Sequence, residues 1–185
     1  MTHHDVVIIG AGPAGLSFAR LLAEIGLDIC VLEKQSEKTI ANPSYDGREI
    51  ALTHHSHKIM SDCEMWAKIP EKGISLIKDA KVLNGDLTNS LFFDHRISGK
   101  DNLGYMISNH LIRKAAYDIV KTRKNIKLIT DVEVAHVQTN DFNGVVTLKD
   151  GVSLSAKLVV AADSRFSTTR DMMGIPVARR DFGRT

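Results

Sequence analysis

Three glycines and one acid, at fixed offsets, carry the clearest chemistry in this chain. Gly10, Gly12 and Gly15 follow the apolar run from Val6 to Ile9, and Glu33 follows a second apolar run from Ile29 to Leu32. Gly10 suits a tight turn from strand to helix, Gly12 leaves the backbone bare for a pyrophosphate, and Gly15 lets a helix pack closely on a strand. Pro13 and Ala14 stand between them, at the start of that helix. A helix N-terminus presents N–H groups and the positive end of its dipole to phosphates. Glu33, 23 positions after Gly10, stands where a carboxylate accepts hydrogen bonds from a ribose 2′-hydroxyl. It would repel a 2′-phosphate, which favours FAD or NAD over NADP at this site.

A G-x-G-x-x-G motif is weak without its context, and the context is here. Val6 to Ile9 is short, unbroken and rich in β-branched residues, as in a strand buried on both faces. Leu16, Ala19, Leu22 and Ala23 recur on one face of a helix. Residues 5–33 are therefore expected to form a nucleotide-binding βαβ unit.

Further along, Lys34 to Pro43 reads as a loop and Arg48 precedes a short apolar stretch. A helix is expected from His54 to Ala67, bracketed by the turns Asn42-Pro43 and Ile69-Pro70. His54, His55 and His57 could suggest a metal site. Neighbours on a helix point apart, however, and no Cys or acid stands at ligand spacing, so a solvated first turn is the preferred reading and no metal is expected. Residues 80–94 read as a hairpin around Asn84-Gly85, Asp94 to Leu103 as a loop, and Gly104 to Thr122 as a helix. Asn109 and Arg113 would share a face of that helix. Strands are expected at Ile126–Thr130, Val132–Thr139 and Val145–Leu148, forming an antiparallel ribbon inserted between strands of the parallel sheet. Leu158 to Ala162 then returns to that sheet and delivers Asp163 at its carboxyl edge, where open α/β sheets bind ligands.

Composition excludes several classes. The 24 basic and 22 acidic residues leave a net charge of +2, with no basic stripe interleaved with aromatics, so nucleic-acid binding has no support. No apolar run approaches the length of a membrane span, and no signal peptide precedes the first strand, which points to the cytoplasm. Cys30 and Cys63 do not form a C-x-x-C pair, and Cys30 reads as a small core residue.

Three stretches together resemble the FAD-dependent aromatic monooxygenases of the para-hydroxybenzoate hydroxylase group, and within it the ubiquinone-biosynthesis hydroxylases. They are G-A-G-P-A-G with Glu33, D-G-R-E-I-A-L at 46–52, and A-A-D-S-R-F-S-T-T-R at 161–170. The second is similar to the family's Asp-x-Arg-x-x-Ala-Leu stretch and places Arg48 near the flavin. The third is similar to its Asp-Gly-x-x-Ser-x-x-Arg motif, matched by Asp163, Ser167 and Arg170, with Ser164 in place of the glycine. L-G-Y-M-I-S-N-H-L-I at 103–112 is similar to a helix start that sets a polar residue beside the flavin, a role carried to Asn109. The cofactor-binding set implied by motif and resemblance is Gly10, Gly12, Pro13, Ala14, Gly15, Glu33, Lys34, Arg48, Asn109, Val134 and Asp163. No catalytic residue is assigned.

The resemblance implies a Rossmann-like FAD/NAD(P)-binding α/β fold with a parallel sheet, an antiparallel ribbon insertion and part of a substrate-domain sheet. FAD-binding parts are expected at 1–78 and 104–185, with substrate-domain strands beginning at 79–103. The implied activity is NAD(P)H-dependent hydroxylation of an aromatic quinone precursor by O2, through a flavin C4a-hydroperoxide. A peripheral membrane contact and oligomerisation stay open for a full-length enzyme. The family's later Gly-Asp-Ala-x-His motif does not occur in these 185 residues. The chain is thus read as the N-terminal half of a longer enzyme that binds FAD weakly without the remainder. Two alternatives stay open: a different flavoprotein reductase, and a nucleotide-binding module without turnover.

Overall fold

The computed structural model describes residues 1–83, 85, 90–164 and 166–183. In chain order the elements are β1 (Thr2–Ile9), α1 (Pro13–Ala23), β2 (Ile29–Leu32), α2 (Glu37–Ala41), β3 (Glu49–Leu52), α3 (His54–Asp62), β4 (Ile74–Ile77), β5 (Asp79–Leu83), β6 (Ser90–Asp94), β7 (Gly104–Ser108), α4 (Asn109–Val120), β8 (Ile126–Ile129), β9 (Val134–Thr139), β10 (Gly144–Leu148), β11 (Ser153–Ala161) and α5 (Thr168–Met172). They divide into two compact units, residues 1–37 with 123–185, and residues 38–122. No described helix is long and apolar enough to cross a membrane.

The first unit is built on a six-stranded sheet in the order β8-β2-β1-β11-β10-β9. β1 runs parallel to both β2 and β11, and β2 parallel to β8, while β10 is antiparallel to its two neighbours. All four residues of β2 are buried, which is why its sequence is apolar without alternation. Val7, Ile9, Cys30 and Leu32 join Val137, Val146, Leu148, Leu154 and Ala156 in one core cluster. Val6, Ile8, Ile29 and Val31 are buried too, and alternation puts them on the opposite face from that cluster. α1 packs on β1, β2 and β8, burying Leu16 and Ala19. Burial pushes the Cys30 thiol up to about 11, so it is a core group and not a reactive thiolate.

The second unit holds a three-stranded antiparallel sheet, β3-β7-β4, and a separate β5-β6 ribbon. Ile107 in β7 is fully buried, and α4 buries Ile112, Ala115, Ala116, Ile119 and Val120. The ribbon occupies the expected hairpin, with Val82, Leu83, Leu91, Phe92 and Phe93 all exposed; Asn84 of its turn lies outside the described residues.

Four sequence expectations change. The expected helix from Gly104 begins as strand β7, because Tyr105, Met106 and Ile107 pair with β3 on one side and β4 on the other; the helix starts at Asn109. The strand at Ile126 leaves the antiparallel ribbon and pairs with β2 in the parallel sheet, so the antiparallel part is β9, β10 and β11. α3 stops at Asp62, and Glu64 takes a left-handed φ of 66°; Trp66–Lys68 is a separate 3-10 turn. The loop expected at 34–43 contains α2, whose Ile40 is buried.

Candidate functional site

In the first unit the sequence-derived residues gather at the carboxyl ends of β1, β2 and β11. The Gly10 N–H donates to the Leu32 carbonyl at 2.8 Å, and the Ala162 N–H to the Ile9 carbonyl at 2.8 Å. Gly10 has φ of +109°, and a Cβ there would stand 2.5 Å from the Ala162 carbonyl oxygen. A Cβ on Gly15 would stand 2.1 Å from the Gly10 carbonyl oxygen. Both positions thus require glycine for the fold itself. Gly12 differs: among the described residues a Cβ there meets no atom within 4 Å, and its backbone is in the ordinary extended region. Its bareness is not needed for packing.

Gly12 is the N-cap of α1 and Pro13 its first residue, and no side chain caps the helix. Pro at this position costs no hydrogen bond. Ala14 is exposed beside them. Glu33 ties the corner together, its two carboxylate oxygens accepting the N–H groups of Ala11 and Gln35, each at 2.8 Å. Sequence reasoning expected a ribose acceptor there and did not foresee this backbone task, which depends on how the glycine turn lies over β2. Lys34 follows, exposed. The Val132 N–H donates to the Glu33 carbonyl at 3.1 Å, which brings the start of β9 to the same corner. Val134 opens β9, its half-buried side chain packed on the sheet core.

Asp163 follows the end of β11. Its Oδ2 accepts from the Thr169 N–H at 3.0 Å and the Thr169 hydroxyl at 2.9 Å, while its Oδ1 is buried with no partner among the described residues. Burial pushes the carboxyl up, but the Ser167 hydroxyl and the Thr169 donors outweigh it and hold it below its ordinary value. Ser167 caps α5 by accepting the Arg170 N–H at 2.9 Å. Ser164 adopts φ of 85°, the left-handed region that glycine takes without strain. Arg165 lies outside the described residues.

In the second unit the structure joins two stretches 61 positions apart. Asp46 Oδ2 accepts from Arg48 Nε at 3.0 Å and from Asn109 Nδ2 at 2.8 Å, and the Arg48 carbonyl accepts the Asn109 N–H at 2.8 Å. The Arg48 guanidinium and the Asn109 amide hold the Asp46 carboxyl well below the usual carboxylate range, and Asp46 pushes Arg48 up. Asp46 was visible in the motif but had no assigned task, since only the pairing of β3 with β7 brings Asn109 to it.

The histidines have structural contacts. His54 Nε2 lies 3.0 Å from the Asn102 carbonyl, and the His57 ring packs against Trp66 and Tyr105, with centroids 4.1 and 5.0 Å away. Thr53 caps α3 by accepting the Ser56 N–H. Among the described residues, Asp79, Asp94 and His95 form the one group with donor atoms at metal spacing. Asp94 is taken by Arg96, and His95 Nδ1 lies 3.1 Å from the Lys78 carbonyl.

A parallel sheet, a βα corner with a bare glycine and an acid after the second strand define a dinucleotide-binding protein. The FAD binding domain family matches residues 3–183, and the chain belongs to that family. It is 48% identical to the ubiquinone hydroxylase UbiM of Neisseria meningitidis, over 99% of this chain and 41% of the relative. It is 28% identical to the ubiquinone hydroxylase UbiL of Rhodospirillum rubrum, over 98% of this chain and 42% of that one. The chain thus spans about two fifths of the length of these relatives. The crystal structure of p-nitrophenol 4-monooxygenase PnpA from Pseudomonas putida shares the fold, with a TM-score of 0.75 at 22% identity, over 94% of this chain and 44% of that one.

Proposed function

We propose that the protein to which this chain belongs is an FAD-dependent, NAD(P)H-using hydroxylase of an aromatic precursor in ubiquinone biosynthesis. The observation that carries the reading is the 48% identity to a ubiquinone hydroxylase across 99% of the chain. The residues present fit FAD. Among the described residues, Gly12 leaves open space at an uncapped helix start, and Asp163 Oδ1 is a buried acceptor without a donor, matched to a polyhydroxyl chain.

In this reading the turn from Gly10 through Gly12, Pro13 and Ala14 to Gly15 receives the pyrophosphate on backbone N–H groups and the helix dipole. Glu33 accepts the ribose hydroxyl while keeping the Ala11 N–H, with Lys34 and Val134 beside that corner. Asp163 stays ionised at neutral pH, as its lowered pKa requires, and so acts as an acceptor only. Arg48 and Asn109 are the flavin-facing pair, offering donors to the ring system. The flavin, when bound and reduced by NAD(P)H, supplies the activation of O2 needed to hydroxylate an electron-rich ring. The protein's share is binding, orientation and exclusion of water.

FAD binding is assigned to residues 1–78 and 104–185, with 79–103 opening the sheet that covers the substrate. The exposed Phe92, Phe93 and Leu91 support an apolar lining there. The test is flavin absorbance of the purified full-length protein, with NAD(P)H oxidation stimulated by a ubiquinone-precursor phenol. A colourless, folded protein or substrate-independent oxidation alone would overturn the reading.

A further inference from the structure

We infer that Asp46 is a positioning residue for FAD, acting through Arg48 and Asn109; this rests on the flavin-facing role proposed for those two. A single carboxylate receives the donors of both. Its Oδ1 accepts the Arg48 backbone N–H at 3.1 Å, and its Oδ2 accepts Arg48 Nε, Arg48 Nη2 and Asn109 Nδ2. The backbone repeats the link, because the Asn109 N–H donates to the Arg48 carbonyl at the point where β3 and β7 begin to pair, Glu49 opposite Ser108.

The Arg48 side chain is 65% exposed, and Asp46 engages its Nε and Nη2 but not its Nη1, which is left to face a ligand. A long side chain left free must lose rotamers on binding, which costs affinity, whereas one already held does not. Asp46 performs that holding for Arg48 and also fixes which way the Asn109 amide faces.

Charge and positioning predict opposite signs. FAD carries a negative pyrophosphate. Removing a nearby carboxylate would, by charge alone, tighten binding. If Asp46 works by holding its partners, removing the carboxylate weakens binding instead. Asp46→Asn is the useful variant, since it keeps the side-chain size and the oxygen that accepts the Arg48 N–H.

The experiment titrates the full-length apoprotein with FAD, following flavin fluorescence, for wild type, Asp46→Asn, Arg48→Ala and the double variant, and records the melting temperature of each without FAD. The expected result is an about three- to tenfold weaker Kd for Asp46→Asn, the scale of ordering one rotamer-rich side chain. Its melting temperature should stay within about 2 °C of wild type, as for an exposed ion pair. Added to Arg48→Ala, it should bring little further loss. An unchanged or tighter Kd for Asp46→Asn would overturn the inference. So would full additivity with Arg48→Ala, or a fall in melting temperature that accounts for the affinity loss and makes Asp46 merely structural. If the wild-type protein fails to bind FAD, the proposed function itself fails and this inference falls with it; binding by wild type with an indifferent Asp46 sinks the inference alone.

Discussion

Gly12→Asp should stabilise the apoprotein and abolish its FAD binding, a pair of effects that separates ligand geometry from packing. Gly12 is the N-cap of α1, with φ of −74° and ψ of 173°, a conformation open to any residue, and none of the described residues lies within 4 Å of a new Cβ. Asp is a better N-cap than Gly by a few tenths of a kcal/mol, and its charge at the positive helix end adds about 0.3–1 kcal/mol. The sum, about 0.5–1.4 kcal/mol, corresponds to a rise of about 1–6 °C in melting temperature for a chain of this size. Against a phosphate oxygen about 4 Å away, one carboxylate charge costs about 4 kcal/mol at an effective dielectric of about 20, or about a thousandfold in Kd. Thermal unfolding of the apoprotein and fluorescence titration with FAD measure the two effects separately. A melting temperature several degrees lower would mean that Gly12 is a packing glycine after all. FAD affinity within a few-fold of wild type would mean that the pyrophosphate does not lie on this turn.

Gly15→Ala should instead lower stability, by about 1–2 kcal/mol in urea unfolding: the backbone clash at 2.1 Å outweighs the roughly 1 kcal/mol gain in helix propensity. Glu33→Ala should weaken FAD by roughly 1.5–3 kcal/mol, the scale of a hydrogen bond to a charged group, and also destabilise the apoprotein because the Ala11 N–H loses its acceptor; a titration showing no loss would remove the ribose role. Ser164→Gly should raise stability by about 0.5–1 kcal/mol, since relief of a left-handed residue, about 1–2 kcal/mol, exceeds the added chain entropy; calorimetry showing a loss would mean that the serine side chain secures the turn. The Asp94 carboxyl is lowered from 3.8 to about 2, chiefly by the Arg96 side chain and then by the Arg96 N–H. A depressed acid stabilises the fold fully above its unfolded pKa and loses that contribution as pH falls through the folded one. Unfolding at a series of pH values should therefore show acid destabilisation between pH 3.8 and about 2 that Asp94→Asn reduces; an identical profile for the variant would refute the assignment.

The nucleotide corner was legible because it is local. A strand, a turn, a helix and a second strand lie within residues 5–33, and each glycine's task follows from backbone sterics over that short span. The second unit was less legible. Tyr105 to Ser108 carry no helical or strand pattern strong enough to decide between the two, and pairing with β3 and β4 decided it. Ile126 to Ile129 looked like any short apolar strand, and only the vacant edge of β2 turned it parallel.

The order of residues along the chain was enough to set a strand, a glycine turn, a helix and a second strand within residues 5–33 and to name the acid that follows. It did not show how tightly packing closes over Gly10, because that depends on Ala162, about 150 positions away. Nor could it join Asp46 to Asn109. Hydrogen bonds across such separations exist only once strand pairing has set the register, and register is a property of the assembled sheet.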